Sequence, residues 1–222
     1  MGPLFFSMKT FGEHELRTQF IHVGERKIHV VENPDGTFTY RRDDLRVKIL
    51  GGKYLSVLPA PAEGYGVKFL MVKLRERLAV PPGETVHGYL SAPVDVVVKA
   101  GNAPIDRFIV GREKYALYGE HSIGIIARYH VSCFHEKEPD SLGVIKLAVR
   151  NPTKEWKLVE RVVIPIRNSV MFYSDEKAYY PLIILTTKEP YEVNNTGNPP
   201  DGRLKATHRA EPLPNFRMRW WP

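Results

Sequence analysis

An all-β fold is what this sequence predicts: an antiparallel β-sandwich, immunoglobulin-like or jelly-roll-like, with a small N-terminal β subdomain. Three observations predict it. Apolar and polar residues alternate over short runs, the period of a half-buried strand. Turn signals recur between those runs at the spacing of a sandwich. The 18 Pro and 17 Gly among 222 residues supply those turns.

Hairpins dominate residues 1–58. Ile21 and Val23 alternate with His22, and Gly24-Glu25 suits a two-residue turn with glycine first. Ile28 and Val30 then return to the same face, which makes that face core. Asn33-Pro34-Asp35-Gly36 is a turn with proline second and glycine last. Phe38 and Tyr40 open the next strand. Val47–Leu50 and Tyr54–Leu58 flank Gly51-Gly52 and read as a further hairpin.

Residues 59–64, Pro-Ala-Pro-Ala-Glu-Gly, read as a short stiff linker. Residues 65–193 form the main sandwich. Val67–Val80 carries a helix-like stripe at Val67, Leu70, Met71, Leu74 and Leu78, but Pro81-Pro82-Gly83 closes it and strands surround it; it is read as a buried strand. From Ile123 to Cys133 the alternation is strict, with Ile125, Ala127, Tyr129, Val131 and Cys133 on the predicted core face and Arg128, His130 and Ser132 opposite. Residues 194–222 form a basic tail with little alternation, ending in Arg217, Arg219, Trp220 and Trp221.

Composition narrows the function classes. A single cysteine, Cys133, leaves no intramolecular disulfide and no cysteine-based zinc site, which suits a cytoplasmic protein. No run approaches the length of a membrane helix, so no membrane span is expected. The net charge of +7 favours anionic partners. Abundant Lys, Arg and Glu with a single glutamine, Gln19, is a thermophile-like composition, in which basic charge is solvated surface.

No phosphate-cradling loop and no dinucleotide fingerprint is present. Gly119-Glu120-His121-Ser122-Ile123-Gly124 has the wrong spacing for a nucleophile elbow. Cys133 and His135 share a strand face, but Cys133 falls in the apolar row and is expected as a buried thiol. His22 and His29 share a face of the first hairpin, yet two ligands leave a zinc site incomplete. No metal, cofactor or catalytic residue is therefore predicted. Arg41 and Arg42 after Tyr40 form a small basic cluster, and cations mixed with aromatics are what base stacking and phosphate contact need. Arg217, Arg219, Trp220 and Trp221 carry the residue types that anchor protein interfaces.

Several segments resemble a family of unknown function from archaea: Lys114-Tyr115-Ala116-Leu117-Tyr118-Gly119 with Ile125-Ile126-Ala127-Arg128-Tyr129, the opening Phe11-Gly12-Glu13-His14-Glu15-Leu16, Pro82-Gly83 with Ala92-Pro93-Val94-Asp95, and Asn151-Pro152-Thr153 before Trp156. The resemblance spans residues 11–190. It implies an archaeal origin and no activity. The leading expectation is a non-catalytic interaction or assembly module that joins a copy of itself or another protein. A nucleic-acid or other polyanion binder is the alternative. An enzyme with a site assembled from distant residues, and a cytoplasmic subunit docked on a membrane protein, complete the set.

Overall fold

The apolar pairs Ile21/Val23 and Ile28/Val30 fold into the hairpin that their spacing predicts, and all four side chains are fully buried. The computed structural model describes residues 5–6, 9–120, 124–208 and 216–218, and every regular element among them is a strand. No helix among the described residues is long and apolar enough to cross a membrane.

The first sheet is a meander, β1 (Phe5–Phe6), β3 (Gln19–Val23), β4 (Arg26–Glu32), β5 (Phe38–Arg42) and β6 (Leu45–Ile49), in that order. Gly24 opens the β3–β4 turn at φ +56, the left-handed region that glycine enters without strain. The second sheet runs β11 (Ala103–Ile109), β10 (Val94–Ala100), β7 (Tyr54–Pro61), β2 (Gly12–Glu15). The third runs β12 (Tyr115–Tyr118), β13 (Ile125–Ser132), β8 (Phe69–Val80), β15 (Lys157–Pro165). The fourth runs β20 (Lys205–Ala206), β16 (Phe172–Tyr173), β17 (Ala178–Tyr179), β14 (Gly143–Arg150), β18 (Ile183–Thr186), β19 (Tyr191–Asn195), β21 (Phe216–Met218), and β9 (Thr85–Ala92) also pairs with β14. Buried residues of all four sheets join one hydrophobic cluster.

The ambiguous segment at Val67–Val80 is strand β8, as read. Other local readings change. Gly51-Gly52 does not close a hairpin: β6 ends the first sheet and β7 enters the second, so the glycines carry the chain between layers. Pro59 and Pro61 lie inside β7, opposite Val96 and Val94 of β10. β2 pairs β7 only as far as Val57, so both prolines sit where β7 has a free edge, a place a strand tolerates them. Four pairings are parallel: β13 with β8, β14 with β17 and with β18, and β1 with β3. Parallel neighbours need long crossovers, which local turn signals do not reveal.

The face assignment of β13 is also corrected. Arg128 and Ser132 are buried, whereas Val131 and Cys133 are exposed. The third sheet is covered on the side of Arg128 and Ser132: Ser132 Oγ accepts from the Ser91 N–H of β9 and lies 3.0 Å from Ser91 Oγ, and Ser91 Oγ lies 3.1 Å from His130 Nε2. These polar contacts tie the third sheet to the fourth. The tail is strapped onto the fourth sheet where it is described, with β20 against β16 and β21 against β19. Phe216 packs on Phe69 and Tyr118.

Candidate functional site

Asp95 interrupts a run of valines on β10. Strands β7 and β11 flank it, opposite Ala60 and Ile109, and leave it 1% exposed. A carboxylate so placed needs partners. Its Oδ2 accepts the Gly64 N–H at 3.0 Å and lies 3.8 Å from Arg107 Nη2. Its Oδ1 is buried with no hydrogen-bond partner. Burial outweighs the pull of the Gly64 N–H, Arg107 and Arg128 and pushes the carboxyl up to about 6.

Gly64 reaches Asp95 because it has no side chain. Its φ is +51, and a Cβ there would stand 2.3 Å from the Tyr115 hydroxyl and 2.8 Å from Glu113 Oε1. Behind it lies Arg128 of β13, a guanidinium 1% exposed. Arg128 Nη1 donates to Glu113 Oε1 at 2.6 Å, and Tyr115 donates to the same oxygen. Arg128 Nε is buried without a partner. Tyr180, fully buried nearby, accepts the Ala62 N–H and donates to the Pro93 carbonyl, and burial raises its hydroxyl pKa.

In front of Asp95 opens a cleft of about 510 Å³. Three guanidiniums wall it: Arg26 at the start of β4, Arg42 at the end of β5, and Arg107 on β11. They differ in how firmly they are held. Arg42 grips Asp106 through Nε at 2.6 Å and Nη2 at 3.0 Å, and Asp43 through Nη1 at 2.7 Å. It also covers the Phe108 ring at 4.5 Å. Tyr40 donates to the same Asp106 carboxylate, and burial raises its hydroxyl pKa. Arg42 is thus a fastener between the first and second sheets. Arg26 touches Asp43 only at 3.4 Å, and Arg107 reaches Glu63 at 3.3 Å; their side chains are 42% and 47% exposed.

The carboxylates that face Arg26 and Arg107 are shared with other partners. Asp43 and Asp106 hold Arg42, Glu113 holds Arg128, and Glu63 Oε1 accepts the Asn168 N–H at 2.9 Å. A guanidinium carries five N–H donors. Arg26 and Arg107 spend few of theirs on the neighbours just named.

Of the residues singled out from sequence, Arg42 lines this cleft. Arg41, one residue earlier, faces the other side of β5 and is exposed. Arg217 is exposed on β21 of the fourth sheet, away from the cleft walls. Arg219, Trp220 and Trp221 lie outside the described residues. Asp95, Arg107, Arg26 and Gly64 were missed. One signal for Asp95 was available: a lone carboxylate in Val94-Asp95-Val96-Val97-Val98 has to be paired or functional. Arg26 and Arg107 gave none, because each is one of many cations on alternating strands. No group of metal ligands was found among the described residues, His22 and His29 included; His29 instead stacks on Phe20 at 4.2 Å.

Three segments of the resemblance meet behind this cleft: the strand of Asp95, the strand of Tyr115, and the strand of Arg128. Comparison with known families gives a match over residues 10–219 to a protein family of unknown function, DUF432. The chain belongs to that family. The match runs past residue 190 and into the tail as far as residue 219, farther than the resemblance did. No significant match to a curated protein or to a solved structure was found.

Proposed function

We propose that this DUF432 protein is a binding module whose cleft takes an anionic group, phosphate or carboxylate, carried by its ligand. The observation that carries this reading is the pair Arg26 and Arg107, half-exposed on one cleft wall system and held only by ion pairs of 3.3 Å or longer. Guanidiniums match phosphate and carboxylate in shape as well as charge. Arg42 supports them from behind by keeping the two sheets together. This reading places the polyanion alternative on named residues.

Titration calorimetry with inorganic pyrophosphate at low salt tests it. Wild type is expected to bind, and the Arg26→Ala/Arg107→Ala double variant to lose roughly tenfold or more, since hydrogen bonds to charged groups contribute about 1.5–3 kcal/mol each. Equal affinity in the two proteins, or no binding by wild type, overturns it.

A second reading, contact with a second copy of the chain, is favoured by a different observation. Trp156 and Leu158 are 64% and 48% exposed in a groove of about 290 Å³ that also includes Arg77 and Tyr191. Exposed apolar patches of this kind mark interaction sites. Light scattering of wild type and of Trp156→Ser/Leu158→Ser decides it: an oligomer that dissociates in the variant supports the reading, and an unchanged mass in both removes it.

A further inference from the structure

We infer that the ligand of the cleft is a nucleoside phosphate, an anion that carries a planar ring. This inference rests on the anion-binding reading and adds the ring to it. The observation is Tyr65. It lines the cleft yet is 87% exposed, the most exposed large hydrophobic side chain among the described residues.

Its presentation is built into the backbone. Gly64 and Gly66 bracket Tyr65 at φ +51 and +94, values that side-chain-bearing residues rarely adopt. Gly66 N–H and Val67 N–H both donate to the Glu63 carbonyl, at 2.9 and 3.0 Å, which closes the turn and lifts its tip. Glu63 in turn is anchored by the Asn168 N–H and reaches Arg107. A tight turn fixed at its base therefore holds an aromatic ring out in water beside two under-used guanidiniums.

The other aromatic ring of the cleft is already taken. Phe108 is buried and capped by Arg42. An incoming ring thus meets Tyr65, whose face is open. Stacking on an aromatic side chain is tolerant of base identity and substantial per base, and the phosphate then falls to Arg26 and Arg107. The cleft volume of about 510 Å³ lies within the usual range for small-ligand sites. The same chemistry is offered by a free nucleotide and by the phosphorylated end of a nucleic-acid strand.

The test is calorimetric titration of the full chain with ADP, inorganic pyrophosphate, and a single-stranded oligonucleotide with and without a 5′-phosphate. ADP is expected to bind roughly tenfold or more tighter than pyrophosphate, as one stacked ring implies. Tyr65→Ser should abolish that gain and leave pyrophosphate unchanged, and Tyr65→Phe should keep it. Tyr65 is exposed, so neither variant threatens the fold. Competition by the 5′-phosphorylated oligonucleotide, and not by its unphosphorylated form, assigns the ligand to strand ends; competition by ADP alone assigns it to free nucleotides; both support the inference. Equal affinities for ADP and pyrophosphate overturn the ring and leave the anion site standing. Failure of both to bind overturns the two together.

Discussion

Asn151 and Asp95 are both buried polar residues at the ends of long strands, and the protein treats them in opposite ways. Asn151, fully buried, donates from Nδ2 to the carbonyls of Val80, Pro81 and Glu155 at 2.8–3.0 Å. Its Oδ1 accepts from the Thr153 N–H, the Thr153 hydroxyl and the Thr187 hydroxyl. Every polar atom of that side chain is used, and the knot ties the end of β8 to the β14–β15 connection. Asp95 has one oxygen in use and one without a partner, and the guanidinium behind it has an unpartnered Nε. A satisfied buried group specifies structure. An unsatisfied one beside a cleft is a place where stability has been given up, which is the pattern of functional sites.

That contrast predicts opposite signs. Asn151→Ala should be the most damaging change, because three carbonyls, the Thr153 N–H and two hydroxyls each lose a hydrogen bond to a fully buried side chain. A loss of about 3–5 kcal/mol is expected, seen as a fall in Tm of roughly 10 °C for a chain of this size. A loss below about 1 kcal/mol would erase the contrast.

Asp95→Asn should stabilise the protein at pH 7, by on the order of 2–3 kcal/mol. The sign follows from the raised carboxyl. Its pKa in the folded chain is about 6 against 3.8 as the reference value, so the native state keeps this proton to higher pH than the unfolded chain does. The contribution of Asp95 to stability falls as pH rises from about 4 to about 6, and the full penalty is present above 6. Burial lowers the pKa of His14, His29 and His130, which adds stability as pH rises. Asp95 is therefore read from a difference: in denaturant titrations the gain of Asp95→Asn over wild type should be larger at pH 7 than at pH 5. The same proton lowers the negative charge of the cleft; because pyrophosphate itself gains charge over this window, the effect is read as the ratio of wild-type to Asp95→Asn affinity, which should be higher at pH 5 than at pH 7. A gain from Asp95→Asn that is the same at pH 5 and pH 7 would contradict the burial of an ionised Asp95.

Gly64→Ala should cost about 1–2 kcal/mol, through its positive φ and the approach of Tyr115 and Glu113. It should also weaken pyrophosphate binding, because the turn that faces Arg107 must shift. Thr187→Val is the mildest, about 1 kcal/mol. It removes one of the three donors to Asn151 Oδ1 and should leave ligand binding untouched, which separates the two regions functionally.

The sequence was most readable where pairing is local. Ile21, Val23, Ile28 and Val30 declared their face by alternation, and Gly24 and Gly36 declared their turns. It was least readable where a strand is covered on both sides. On β13 the apolar row pointed to Cys133 and Val131 as core, but Ala127 and Arg128 are both buried, so alternation alone had no way to choose the outer face. The exposed Cys133 follows from that inversion. The cleft shows the same limit. Arg42 was legible as part of a basic pair, whereas Arg26, Asp95 and Arg107 come from three strands of two sheets and meet only after those sheets pack.

Alternation, turn residues and composition were enough to determine an all-β chain without disulfides and with a basic balance, because strands and tight turns are specified within a few residues. The order of strands in four sheets, the parallel neighbours of β8 and β14, and the burial of Arg128 were decided by the tertiary structure. So was the division between a satisfied Asn151 and a half-satisfied Asp95. Those depend on which surfaces exclude water from one another, a property of layers in contact and not of any segment alone.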